Sequence, residues 1–102
     1  MHQRRAWLQM AGTAPAPRHH HTAVWIQSAA KMIVWGGQDV SGYLDTGGEF
    51  DSANNQWVAA TPTAPEGRSY HTAVTAGDKM MVWGGEGSSS SHLAGGAVYT
   101  PQ

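Results

Sequence analysis

The chain has 102 residues, 6 Lys and Arg against 7 Asp and Glu, and a formal net charge of -1. That balance gives no basic field for nucleic acid or for an anionic membrane surface, and no apolar run approaches the ~20 residues of a spanning helix. The absence of cysteine excludes disulfide staples, thiolate zinc sites and a cysteine nucleophile, while a length near the usual ~100 to 150 of one domain is paired with few large aliphatics for a private core.

In chain order, Ala6 to Met10 is a short stretch holding Trp7 and Leu8, followed by the breakers Gly12, Pro15 and Pro17. His19 to Ile26 is rich in β-branched and aromatic residues and reads as a strand. Lys31 to Trp35 is a second strand, apolar without alternation and so expected to be covered on both faces, and it is closed by Gly36-Gly37. Gln38 to Gly48 is polar and reads as a solvent loop. A third strand is expected near Gly48 to Asp51, a turn at Asn54-Asn55 and a fourth strand over Gln56 to Ala60, before Pro62 and Pro65 interrupt the pattern.

The second half repeats the first. Thr13-Ala14-Pro15, Arg18 and His21-Thr22-Ala23-Val24 return as Thr63-Ala64-Pro65, Arg68 and His71-Thr72-Ala73-Val74, 50 residues on. Lys31-Met32-Ile33-Val34-Trp35-Gly36-Gly37 returns 48 residues on as Lys79-Met80-Met81-Val82-Trp83-Gly84-Gly85, with Gly77-Asp78 as a tight hairpin turn before it. Leu44 to Ser52 matches Leu93 to Pro101 at a spacing of 49, pairing Phe50 with Tyr99, although the glycine pairs there fit 48 better. The Glu86 to Gly96 loop, with Ser88 to Ser91, is polar and unlike its counterpart.

A double glycine after an apolar strand, an aromatic followed seven residues later by tryptophan (Phe50, Trp57) and a Pro/Arg segment opening the next copy together resemble kelch repeats, whose period is close to 50. Phe50 stands where that family usually has tyrosine. The resemblance implies an all-β, kelch-type β-propeller with two four-stranded blades per chain. The second copy ends after its third strand, and Trp7 lies 50 residues before Trp57, so the missing fourth strand is at the other terminus. The expected organisation is therefore 1–17 as strand four of a neighbouring chain's last blade, 18–62 as the first blade, and 63–102 as linker plus strands one to three of the second. Two blades cannot close a ring, since propellers take four to eight. Copies of the chain are expected to supply the rest, preferably as a homotrimer of six blades.

Trp7, Leu8 and Tyr99 are the expected assembly residues, and Trp7, Trp35, Trp57 and Trp83, which recur in register, are expected in the core. His19-His20-His21 invites a metal reading, but successive residues of a strand face opposite ways, so no metal is assigned; His21 and His71 are expected to make structural hydrogen bonds. Arg18 and Arg68 read either as anchors for backbone carbonyls or, with His20 and Tyr70, as a channel-mouth site for a small anion or sugar. The acidic residues Asp39, Asp45, Glu49, Asp51, Asp78 and Glu86 form no closely spaced pair reproduced in both copies, so no glycosidase dyad follows. Nor is there a nucleophile elbow or a phosphate loop. Copper radical chemistry, found in some kelch-type enzymes, needs a cysteine-linked tyrosine. The expectation is a non-enzymatic, cofactor-free kelch module that self-associates, with a ligand-binding module or a piece of a larger kelch protein or enzyme as alternatives. Cytoplasmic location is the default for a chain without signal peptide or cysteine.

Overall fold

Runs of about five β-branched, aromatic and small residues separated by tight turns favour extended chain over helix. The computed structural model describes residues 6–62 and 66–101, and these contain strands and turns without a helix. The first sheet is antiparallel, with β1 (Thr22–Ile26), β2 (Lys31–Trp35), β5 (Gly47–Asp51) and β6 (Gln56–Ala60) in the spatial order β1-β2-β5-β6. Between β2 and β5, β3 (Gln38–Asp39) and β4 (Gly42–Tyr43) form a small hairpin of their own. The second sheet has three strands, β7 (Thr72–Ala76), β8 (Lys79–Trp83) and β9 (Gly96–Tyr99), in sequence order. The turn before β8 is at Gly77-Asp78, as the sequence indicates.

The two copies are built alike. Trp35 pairs with Gly47 and Met32 with Phe50, just as Trp83 pairs with Gly96 and Met80 with Tyr99. The spacing of 49 is therefore the structural one for the third strand. A Cβ added at Gly47 or at Gly96 would stand 1.9 Å from the facing carbonyl oxygen of Val34 or Val82, so this position requires glycine in both copies.

The sheets meet face to face, closest along their first strands. Val24, Ile26, Ile33 and Trp35 from the first sheet pack on Ala73, Met80, Val82, Ala97 and Tyr99 from the second. The alternation of faces along a strand leaves Thr72, Val74, Met81, Trp83 and Val98 on the far side of the second sheet, and Ala23, Trp25 and Met32 on the far side of the first. Burial along β8 follows: Met80 is 1% and Val82 8% exposed, whereas Met81 is 38% and Trp83 63% exposed. The expectation that all four recurring tryptophans are core is thus corrected within the chain. Trp35 is buried, Trp57 half-buried, and Trp83 and Trp7 exposed; Trp83 is on the face of the second sheet turned away from the first.

Residues 6–10 form no strand. Ala11 pairs in parallel with Gln56, its N–H donating to the Asn55 carbonyl at 3.2 Å and its carbonyl accepting from the Trp57 N–H at 2.9 Å. Of the 1–17 segment, then, the part from Ala11 onward lies on the chain's own first sheet, and residues 1–5 lie outside the described residues, as do 63–65 of the linker and residue 102.

Candidate functional site

The hairpin turns at 27–30, 52–55 and 77–78 gather at one end of the sheets, and the segments leading into β1 and β7 gather with the loops after β2 and β8 at the other. This second end holds Arg18, His20, Arg68 and Tyr70. Its loops are more ordered than the solvent loops expected from their polarity. Gly37 N–H donates to the Arg68 carbonyl at 2.7 Å, Arg68 N–H to the Leu44 carbonyl at 3.2 Å, and Ser69 Oγ to Gln38 Oε1 at 2.9 Å. The loop of the first copy is tied to the entry segment of the second, because the backbone groups left unpaired where strands end must find partners.

The arginines do the same work in both copies. Arg18 donates from Nη1 to the carbonyls of Gly36 at 3.1 Å and Thr46 at 2.6 Å, and from Nε to that of Ala16 at 3.0 Å. Arg68 donates from Nη1 to the carbonyls of Gly84 at 3.0 Å and Gly95 at 2.8 Å, and from Nε to that of Glu66 at 3.1 Å. The planar five-donor guanidinium suits several carbonyls converging from one loop. The anchoring alternative describes both side chains, and Arg68 is only 4% exposed.

His20 and Tyr70, at equivalent positions, both have positive φ, 57° and 58°. This left-handed conformation costs a non-glycine residue about 1 kcal/mol or more, and here it brings the two rings together. Their centroids are 4.2 Å apart at 28°, and the Tyr70 hydroxyl lies 3.1 Å from His20 Nε2. The pair is exposed and offers a flat surface on which a planar group or sugar ring can stack. Nearby, burial and the Glu86 carboxylate, which accepts from the Tyr43 hydroxyl, push the Tyr43 phenol up. His19 stands edge-on to His20 at 4.6 Å, and among the described residues no three His, Asp or Glu side chains converge to hold a metal.

The junction between the sheets holds the remaining chemistry. His71 Nε2 is 2.7 Å from Thr22 Oγ1 of the first sheet, and its ring meets Trp35 edge to face at 5.1 Å. Burial, with the charge of Arg68, lowers its pKa to about 4, so the imidazole is neutral. Its equivalent, His21, is exposed.

Glu49, fully buried, accepts from Lys31 Nζ at 3.0 Å within its own sheet and from the Tyr99 hydroxyl across the junction. Burial and that carboxylate push the Tyr99 phenol up. Tyr99 thus faces the chain's own first sheet. Sequence reasoning passed over Glu49 and Lys31 because no carboxylate pair is repeated. The signal that finds them is strand register, since Lys31 and Ile33 share a face and Ile33 is opposite Glu49.

Trp7 is 103% and Leu8 75% exposed, and β9 has β8 as its one strand partner among the described residues. In the first sheet the place beside β5 is taken by β6, whose Trp57 meets Phe50 edge to face at 5.3 Å.

Residues 2–99 match the family model described as KLHDC2/KLHL20/DRC7 Kelch-repeats domain. The chain is also similar to host cell factor 2 of Homo sapiens, 36% identical over 80 residues, a match covering 72% of this chain and 10% of that protein. The chain thus spans about a tenth of the length of that relative.

Proposed function

Because this chain belongs to the kelch-repeat family, we propose that it is a non-catalytic β-propeller module whose direct activity is to close a ring with copies of itself. The observation that carries this reading is the edge of β9, which no described residue pairs, together with Trp7, exposed near the other terminus and 50 residues before Trp57. Tyr99 is the equivalent of Phe50, so a neighbour's Trp7 laid beside β9 meets Tyr99 as Trp57 meets Phe50. Leu8 follows it onto the same strand. Each chain then contributes one whole blade, three strands of a second and the fourth strand of a neighbour's, and three chains give six blades in a head-to-tail ring of C3 symmetry.

Strand exchange is tested by Trp7→Ala. If Trp7 anchors the neighbour's blade, its loss costs about 3 to 5 kcal/mol, and the concentration for half-assembly, read by sedimentation, rises by two orders of magnitude or more. His20→Ala, outside the exchanged strand, leaves that concentration unchanged. An assembly unaffected by Trp7→Ala would sink strand exchange.

A second reading is favoured by the short span of the chain on its relative. In a longer kelch polypeptide the same two open faces are covered by further blades of that polypeptide. The isolated 102 residues would then remain monomeric or aggregate without a defined mass.

A further inference from the structure

Resting on the ring-closure reading above, we infer that the cavity between the two sheets beside β9 is a receptor for one indole, that of Trp7 from a second copy, whose N–H is accepted by Thr61 Oγ1.

The cavity has a volume of about 160 Å³, and its walls are apolar side chains of both sheets, among them Trp35, Met80 and Tyr99, with Thr61 and Pro62 beyond the end of β6. A dry apolar cavity of about 150 Å³ holds a benzene ring. This one is therefore of the size for an aromatic side chain. Thr61 adds a polar group that the chain itself leaves unmet: the residue is 7% exposed, and its Oγ1 is buried with no hydrogen-bond partner among the described residues. Such a group costs free energy until it finds a partner. An apolar wall with one acceptor suits a flat apolar body with one donor, and among side chains that is the indole, whose N–H donates and which has no acceptor. A phenyl ring leaves Thr61 unmet, and a carboxylate or amide brings further polar atoms that the apolar walls cannot bond.

The first copy shows how the same corner is filled. Trp57 is opposite Phe50 across the β5–β6 pair, meets it edge to face at 5.3 Å, and lies over Gly48, where an added Cβ would stand 3.2 Å from Trp57 Cε3. At the spacing of 49, Tyr99 and Ala97 are the equivalents of Phe50 and Gly48, and both line the cavity. Opposed residues of an antiparallel pair share a face, so a tryptophan laid on β9 in the register of β6 enters the junction beside Tyr99. The Tyr99 hydroxyl is held by Glu49, which leaves Thr61 as the acceptor. Trp7 has the repeat position of Trp57, and at 103% exposure its own chain does not cover it.

The test removes the acceptor and keeps the shape. Because Thr61 Oγ1 bonds nothing in the single chain, Thr61→Val leaves the fold intact, while the concentration for half-assembly, read by native mass across a dilution series, rises about threefold to tenfold. In Trp7→Phe, which lacks the N–H, the same change has no further effect. Thr61→Val that leaves assembly unchanged, or that weakens Trp7→Phe by the same factor as the unmodified chain, overturns the indole site while ring closure stands. An unmodified chain that stays monomeric overturns both.

A second readout does not depend on affinity. In the assembled protein the indole N–H resonance of Trp7, identified by its loss in Trp7→Phe, exchanges with deuterium about tenfold or more slowly than that of free tryptophan. Exchange at the free rate would leave Trp7 in solvent and contradict the site.

Discussion

His71 is the residue through which pH reaches the fold. Its folded pKa of about 4 is below the ordinary 6.5 because burial disfavours the imidazolium, with Arg68 acting in the same direction. As pH falls the unfolded chain binds the proton first. The stabilisation is therefore complete above about pH 6.5 and is lost between there and about 4, by on the order of 2 to 3 kcal/mol. Urea midpoints between pH 7.5 and 4.5 should fall accordingly, and His71→Gln, which hydrogen-bonds without titrating in this range, should flatten the slope. An unchanged slope would remove the neutral imidazole from the account. That His71 is structural was legible in the sequence, since its position recurs in His21. The Thr22 and Trp35 partners were not, because they come from the other sheet and depend on how the sheets dock.

At the scale of elements, β8 shows what the chain lacks. Both it and β2 are apolar without alternation, and the expectation that both faces are covered holds for β2, whose Ile33, Val34 and Trp35 are all buried. In β8 burial alternates, because one face has the first sheet against it and the other is open. Met80→Ala removes a side chain from the internal junction and should lower the chain's own stability by about 2 to 5 kcal/mol. Met81→Ala, one residue on and facing out, should leave that stability within about 0.5 kcal/mol while weakening assembly. Equal effects on unfolding would mean that the two faces are not distinct. Strand positions and turns were legible from period, glycine and asparagine. The loops after β2 and β8 were not, because their polarity reads as exposure while their backbone groups tie one sheet to the next through Arg68 and Ser69.

For the whole molecule, 102 residues do not make a self-sufficient core. Among the described residues the buried cluster, formed by Ile26, Ile33, Trp35, Met80 and Val82, lies between the two sheets. The outer faces carry Trp25 at 45%, Val74 at 54% and Trp83 at 63% exposure, a burden of apolar surface that soluble monomers seldom bear. The dimensions, 54 × 31 × 21 Å, are those of a flat segment. In the ring proposed above, copies of the same chain would cover this surface together with the edge of β9 that no described residue pairs, and stability would depend on concentration, as in obligate oligomers. The tandem repeat was readable from spacing. What spacing alone could not show was how the two sheets dock, with His71 reaching Thr22 and Tyr99 reaching Glu49 from one sheet to the other.

The native mass of the chain at micromolar concentration tests ring closure most directly. A closed assembly near three times 10.8 kDa, dissociating on dilution with loss of folded signal, is the expected result. A folded species with the mass of one chain, unchanged on dilution, would contradict it.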